Sequence, residues 1–168
     1  MLFSTGMRVS EVSHLKLSVI NLGDNTVRIF GKGSKERIMC ISNDLSKTIS
    51  SYLKIRSRKT DFLLTNKLGN RLSEQSIRYM IKDYANAVGA PLHITPHMFR
   101  HTFATELHNE DVDIRYIQQF LGHSSIATTQ IYTHISTSKT REILESKHPR
   151  NKMNLSPVSY THLTLPTT

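Results

Sequence analysis

A chain of 168 residues, 38% hydrophobic and 21% charged, is one domain's worth of sequence, long enough to bury a real core and too apolar to stay disordered. No run approaches the roughly 18 apolar residues that span a membrane, and the start, MLFSTGMRVSEV, lacks the basic stretch and apolar run of a signal peptide. The 22 Lys and Arg against 13 Asp and Glu leave a formal net charge of +9, which suits a polyanionic partner such as nucleic acid as well as ordinary solubility, and the single Cys40 excludes a disulfide framework or a multi-Cys zinc site and fits a reducing compartment.

In chain order, Met1-Leu2-Phe3 reads as the inside of a helical element with no cap before it, so a segment upstream is expected. Residues 8–16 carry Val9, Val12 and Leu15 at helical spacing. Residues 21–25 read as a turn, 26–30 as a strand, 31–34 as a Gly-Lys-Gly-Ser turn and 36–41 as the second strand of a hairpin. Residues 44–58 are predicted helical, with Leu45, Ile49, Tyr52 and Leu53 on one face. Residues 62–65 are predicted to form a third short strand, ended by a turn at 66–70. Further helices are predicted at 73–88, 97–108 (with Pro96 in the first turn), 113–121, 125–134 and 138–147; Ser73 is a plausible cap and Gly89 and Gly122 are stops. The fold class is α+β: one mostly helical domain with a small sheet of about three strands.

The tail, residues 157–168, has no Lys, Arg, Asp or Glu and no helical period. Residues 158–167 (VSYTHLTLPT) equal one reading frame of the transposon mosaic-end adapter of sequencing libraries, and the next codon allows Thr168. The expected division is therefore a domain at 1–156 and a translated adapter at 157–168, against the alternative of a natural polar tail.

His97 and Arg100 stand three apart on a predicted helix. A guanidinium fork and a proton-moving imidazole together suit a phosphate, although exposed His and Arg pairs are usually just solvated. Arg8 follows a Gly turn in TGMR. Lys32 sits in Gly31-Lys32-Gly33, where the backbone can approach a ligand closely. His123 follows Leu121-Gly122, and Tyr132 lies in QIYTH. Singly, such residues are more often ordinary surface or core residues.

Jointly, TGMRVSEV, GKGSKER, HMFRHTFAT, LGHSSIATTQIYTH and KHPR resemble the catalytic domain of the tyrosine recombinase (phage integrase) family, the Xer-like branch most of all. The likeness runs from residue 1 to about residue 152. It implies a catalytic set of Arg8, Lys32, His97, Arg100, His123 and Tyr132, with Tyr132 the nucleophile. It also implies that the family's DNA-clasping helical domain lies outside this chain.

The implied activity is site-specific recombination or integration, through metal-free cleavage and rejoining of double-stranded DNA. A tyrosine hydroxyl has a reference pKa of about 10 and is a poor nucleophile unaided; nearby guanidiniums stabilise its phenolate. Arg8 and Arg100 are suited to clamp the phosphate oxygens and His123 to add a donor. Lys32 is the implied general acid for the leaving 5′-oxygen, and His97 the proton partner of Tyr132. A 3′-phosphotyrosyl intermediate would conserve the bond energy, so no ATP or other cofactor is expected, and the guanidiniums supply the charge that a metal ion supplies elsewhere, so no metal is expected. Glu11, one turn after Arg8, either orients it or makes an ordinary intrahelical pair.

The resemblance further implies a cytoplasmic homo- or hetero-tetramer on DNA, held through the C-terminal helix. Ile143 and Leu144 are its only strong apolar residues and would insert into a neighbouring subunit; docking within the chain is the alternative. Three rival functions stand beside this one. A metal site at His97 and His101 lacks the glutamate of HExxH, since position 98 is Met98. The others are an inactive DNA-binding fragment and a type IB topoisomerase-like enzyme.

Overall fold

The computed structural model describes residues 1–30, 36–56, 59–122 and 137–153. The expected hairpin tip, the helix expected at 125–134 and the tail at 157–168 lie outside those residues. The chain starts in a short helix, α1 (Leu2–Thr5), as the uncapped apolar start predicts. It ends at Gly6, whose φ of 61° lets its N–H close back on the Leu2 carbonyl. Helix α2 (Val9–Ser13) follows and is shorter than expected. Beyond it a single 3-10 turn (Leu17–Val19) leads into the sheet.

The sheet has three antiparallel strands in the order β1 (Ile20–Asn21), β2 (Thr26–Phe30), β3 (Glu36–Cys40). The strand count matches expectation, but the third strand is Ile20–Asn21, where the pattern predicts no strand and a turn that begins at Asn21. Asn21 Oδ1 accepts from the Asp24 amide (3.0 Å) and Asn25 takes a positive φ of 51°, so a tight turn folds β1 onto β2. Residues 62–65 do not join the sheet. The Leu63 amide donates to the Leu15 carbonyl (2.7 Å), and Thr65 bridges Arg71 around a turn that Asn66 Oδ1 organises. These bonds tie the segment to the end of α2 and to itself.

Local capping explains most of the remaining helices. Helix α3 (Asn43–Ile55) is capped by Ser42. It stops short of the expected end because the Arg56 Nη2 group bonds the carbonyls of Thr60 (2.7 Å) and Phe62 (2.8 Å), drawing the chain off the helix axis. Ser73 caps α4 (Glu74–Ala87), Thr95 caps α5 (Pro96–Asn109) with Pro96 in its first turn, and Asp113 caps α6 (Ile114–Leu121). Helix α7 (Thr137–Lys147) precedes a 3-10 turn at Pro149–Lys152.

Two apolar clusters hold these elements. One packs the inner face of the sheet (Val27, Ile29, Met39) against α2 and α3. The other joins α5, α6 and α7 around Phe103, Leu107 and Phe120. Ile143 and Leu144 belong to the second cluster, 8% and 2% exposed. Within this chain the helix docks on α5 and α6, because Phe103, Leu107 and Phe120 provide the apolar surface that two aliphatic side chains need. Leu144→Asp is accordingly expected to lower stability by at least about 3 kcal/mol, from lost burial plus an unpaired buried charge. An unchanged urea midpoint would show that this packing is dispensable.

Candidate active site

Arg8 is the N-cap residue of α2, with extended backbone (φ −69°, ψ 149°). Glu11, one turn on, reaches back to it. The Arg8 amide donates to Glu11 Oε2 (2.8 Å) and Arg8 Nη1 to Oε1 (3.3 Å). Glu11 is more than an intrahelical partner, because Arg37 of β3 also grips it. Arg37 Nη1 and Nη2 donate to Glu11 Oε1 and Oε2 at 2.9 and 3.0 Å. The Glu11 side chain is 7% exposed and that of Arg8 46%, so Arg8 presents its charge outward from a buried anchor.

Arg100, on α5, is buried. Its Nη1 donates to the Gly6 carbonyl (2.7 Å) and its Nη2 to the Leu121 carbonyl (2.6 Å). One guanidinium therefore joins the turn that leads to Arg8 and the end of α6 that leads to His123. Each terminal nitrogen keeps an N–H beyond the one committed to a carbonyl. Burial first, then the neighbouring charges of Arg8 and Arg37, pull the Arg100 pKa down to about 10, with Glu11 opposing; the group stays charged at neutral pH. Burial by itself would raise the Glu11 pKa, but the Arg37 fork, the Arg8 amide and both positive charges outweigh it and hold the carboxyl below its ordinary 4.5.

Of the six expected residues, Arg8 and Arg100 meet at this centre. His97 is exposed in the first turn of α5, one turn before Arg100. Lys32, His123 and Tyr132 lie outside the described residues. His101 is exposed too, and among the described residues no group of three or more His, Cys, Asp or Glu is placed to hold a metal ion.

Two residues without an assigned role are built into the surroundings. Arg37 is one. The other is His148, from KHPR, which is 1% exposed. Its Nδ1 accepts from the Arg150 amide (3.0 Å), so its Nε2 carries the proton and donates to the Ser4 carbonyl (2.8 Å); the ring stands edge-on to Phe103. Burial pushes its pKa below the ordinary 6.5, with the Ser4 bond opposing. His148 thus latches the segment after α7 to α1 in the neutral form. Both residues were visible as parts of quoted motifs, but neither has a local pattern that reveals a buried polar contact.

Residues 1–139 match the sequence model of the Phage integrase family. The chain belongs to the phage integrase family. A relative in the family, a tyrosine recombinase of Agathobacter rectalis, is 53% identical over 160 residues, covering 89% of this chain and 50% of the relative. The crystal structure of XerA recombinase matches with a TM-score of 0.70 at 38% identity, covering 84% of this chain and 53% of that one. XerH site-specific recombinase, solved bound to its difH substrate in a pre-cleavage complex, matches with a TM-score of 0.65 at 30% identity, covering 84% and 43%. The resemblance to the Xer-like branch of the phage integrase family holds, and so does the fold class read from the predicted elements. This family member spans about half the length of the curated relatives it matches.

Proposed function

We propose that this chain is the catalytic part of a site-specific tyrosine recombinase that cuts and rejoins double-stranded DNA in the cytoplasm. The observation that carries this reading is the convergence of Arg8 and Arg100. Residues far apart in sequence place two guanidiniums around the Gly6 turn, with α6 delivering the chain toward His123 from the same point. Two fixed cations with spare donors suit a phosphodiester whose non-bridging oxygens gain charge during attack. The recombinase names of the relatives, and the DNA-bound state of XerH, favour strand exchange over the topoisomerase-like and inactive alternatives.

In this mechanism the Tyr132 oxygen attacks phosphorus and loses its proton toward His97. The bond from phosphorus to the 5′-oxygen breaks as Lys32 protonates that oxygen. The product is a 3′-phosphotyrosyl bond and a free 5′-hydroxyl, and attack by another 5′-hydroxyl reverses the step. Arg8, Arg100 and His123 hold the phosphate throughout. Residues 1–156 form the catalytic unit in this reading, residues 157–168 take no part, and a DNA-clasping domain corresponds to the part of the relatives that this chain does not cover. Four such subunits, identical or mixed, act on two DNA sites. Among the described residues no helix is long and apolar enough to cross a membrane.

The test is covalent capture. The chain is incubated with a pool of nicked duplexes carrying a randomised core, and adducts that survive denaturation are recovered, sequenced and peptide-mapped. DNA attached to Tyr132 is the expected result; no adduct, or attachment elsewhere, overturns the reading. On a recovered duplex, Lys32→Ala should lose cleavage, by at least the roughly 100-fold that a general acid contributes. A 5′-bridging phosphorothiolate should restore it, because a thiolate leaves without a proton. Equal loss on both substrates removes Lys32 from the acid role.

A further inference from the structure

Arg37 lies on the inward face of the sheet, where a charge is out of place. Across the ladder it pairs with Ile29, 2% exposed, and along β3 it shares a face with Met39, 3% exposed. An isolated cation there would be costly. The Glu11 carboxylate answers it with the two-point fork described above, a geometry that a planar guanidinium can make and an ammonium cannot. Satisfying hydrogen bonds does not explain the placement, because Arg37 Nε is buried without a partner among the described residues.

What does lie against the guanidinium is backbone. A Cβ added at Gly122 would stand 2.7–2.8 Å from Arg37 Cζ, Nη1 and Nε. Gly122 has a φ of +61° and ends α6, one residue before His123. The guanidinium therefore lies against both Glu11, the anchor of Arg8, and Gly122. Its own strand begins at Glu36, four residues after Lys32 in the sequence.

We propose that Arg37 is a positioning residue for strand cleavage: it holds Arg8, through Glu11, in register with the backbone at Gly122, one residue before His123, and ties both to strand β3. This rests on the recombinase reading. Arg37 acts through these neighbours and makes no contact with DNA. Misplacing a reacting group by about 1 Å is enough to slow a reaction on the order of 100-fold.

The test uses the full chain with Arg37→Met and Arg37→Lys, on a duplex recovered by covalent capture. For Arg37→Met, DNA affinity should stay within about twofold, while the single-turnover rate of adduct formation per folded molecule falls about 100-fold. Arg37→Lys keeps the charge but not the fork and should recover little of that rate. In parallel, NMR amide exchange should quicken at Arg8 and Gly122 and stay unchanged at Leu107, which lies outside the linkage. An affinity loss that matches the rate loss makes Arg37 a phosphate contact and overturns the proposal. So does an unchanged rate per folded molecule, or unchanged exchange at both amides. If Arg37→Met does not fold, Arg37→Lys carries the same readouts. If the unsubstituted chain yields no adduct, the recombinase reading fails separately, and amide exchange decides the linkage.

Discussion

Arg100→Met should remove roughly 3–6 kcal/mol of stability as well as all DNA cleavage. Two charge-assisted hydrogen bonds disappear, each worth about 1.5–3 kcal/mol. The carbonyls of Gly6 and Leu121, both buried, are left without their donor. Against a typical domain stability of about 5–15 kcal/mol, that loss is large. Arg8 provides the contrast. Its guanidinium is half-exposed and its tie to Glu11 is long, so Arg8→Met should lose cleavage yet shift stability by less than about 1 kcal/mol. Urea unfolding of the two variants checks the difference, and equal destabilisation would contradict the assignment of Arg100 as the brace between the Gly6 turn and α6.

Gly6→Ala is the second large effect. The residue has a φ of +61°, where an L side chain is strained by roughly 1–2 kcal/mol. The added Cβ would also stand 2.6 Å from Phe103 Cδ1 and 3.0 Å from Leu121 Cδ2. Phe103 is 1% exposed in the second apolar cluster, so its ring cannot swing away, and overpacking of this kind costs about 1–3 kcal/mol. Together the expected loss is about 2–5 kcal/mol. In a Phe103→Leu background the same substitution should cost less, because the nearest clash is relieved while the backbone strain stays. A double-mutant cycle by urea denaturation measures that coupling. Additive effects would mean that the close approach of Gly6 to Phe103 does not govern this turn.

The helices were legible because their signals are local. Ser42, Ser73, Thr95 and Asp113 each stand next to the helix that they cap, and Gly122 stops α6 where expected. The family was legible because its motifs are ordered along the chain, although Lys32, His123 and Tyr132 are known here by sequence position and not by geometry.

What depends on distant partners was not legible. Residues 62–65 and 20–21 are both short and β-compatible, and which of them joins the sheet depends on whether a turn folds it onto β2. Residues 36–41 (ERIMCI) show no clean alternation, so nothing local says that Arg37 faces inward. The narrow apolar edge of α7 reads as docking to another chain, with its own chain as the alternative. That α5 and α6 offer it a surface within the same chain is visible only in the fold. Sequence by itself determined the family, the helical elements and the candidate catalytic set, because caps, periodicity and ordered motifs are carried by neighbouring residues. Only the tertiary structure decided the sheet's third strand, the docking of Ile143 and Leu144, the brace made by Arg100 and the fork between Arg37 and Glu11. Those contacts join residues far apart in sequence, whose energies exist only once the chain has closed on itself.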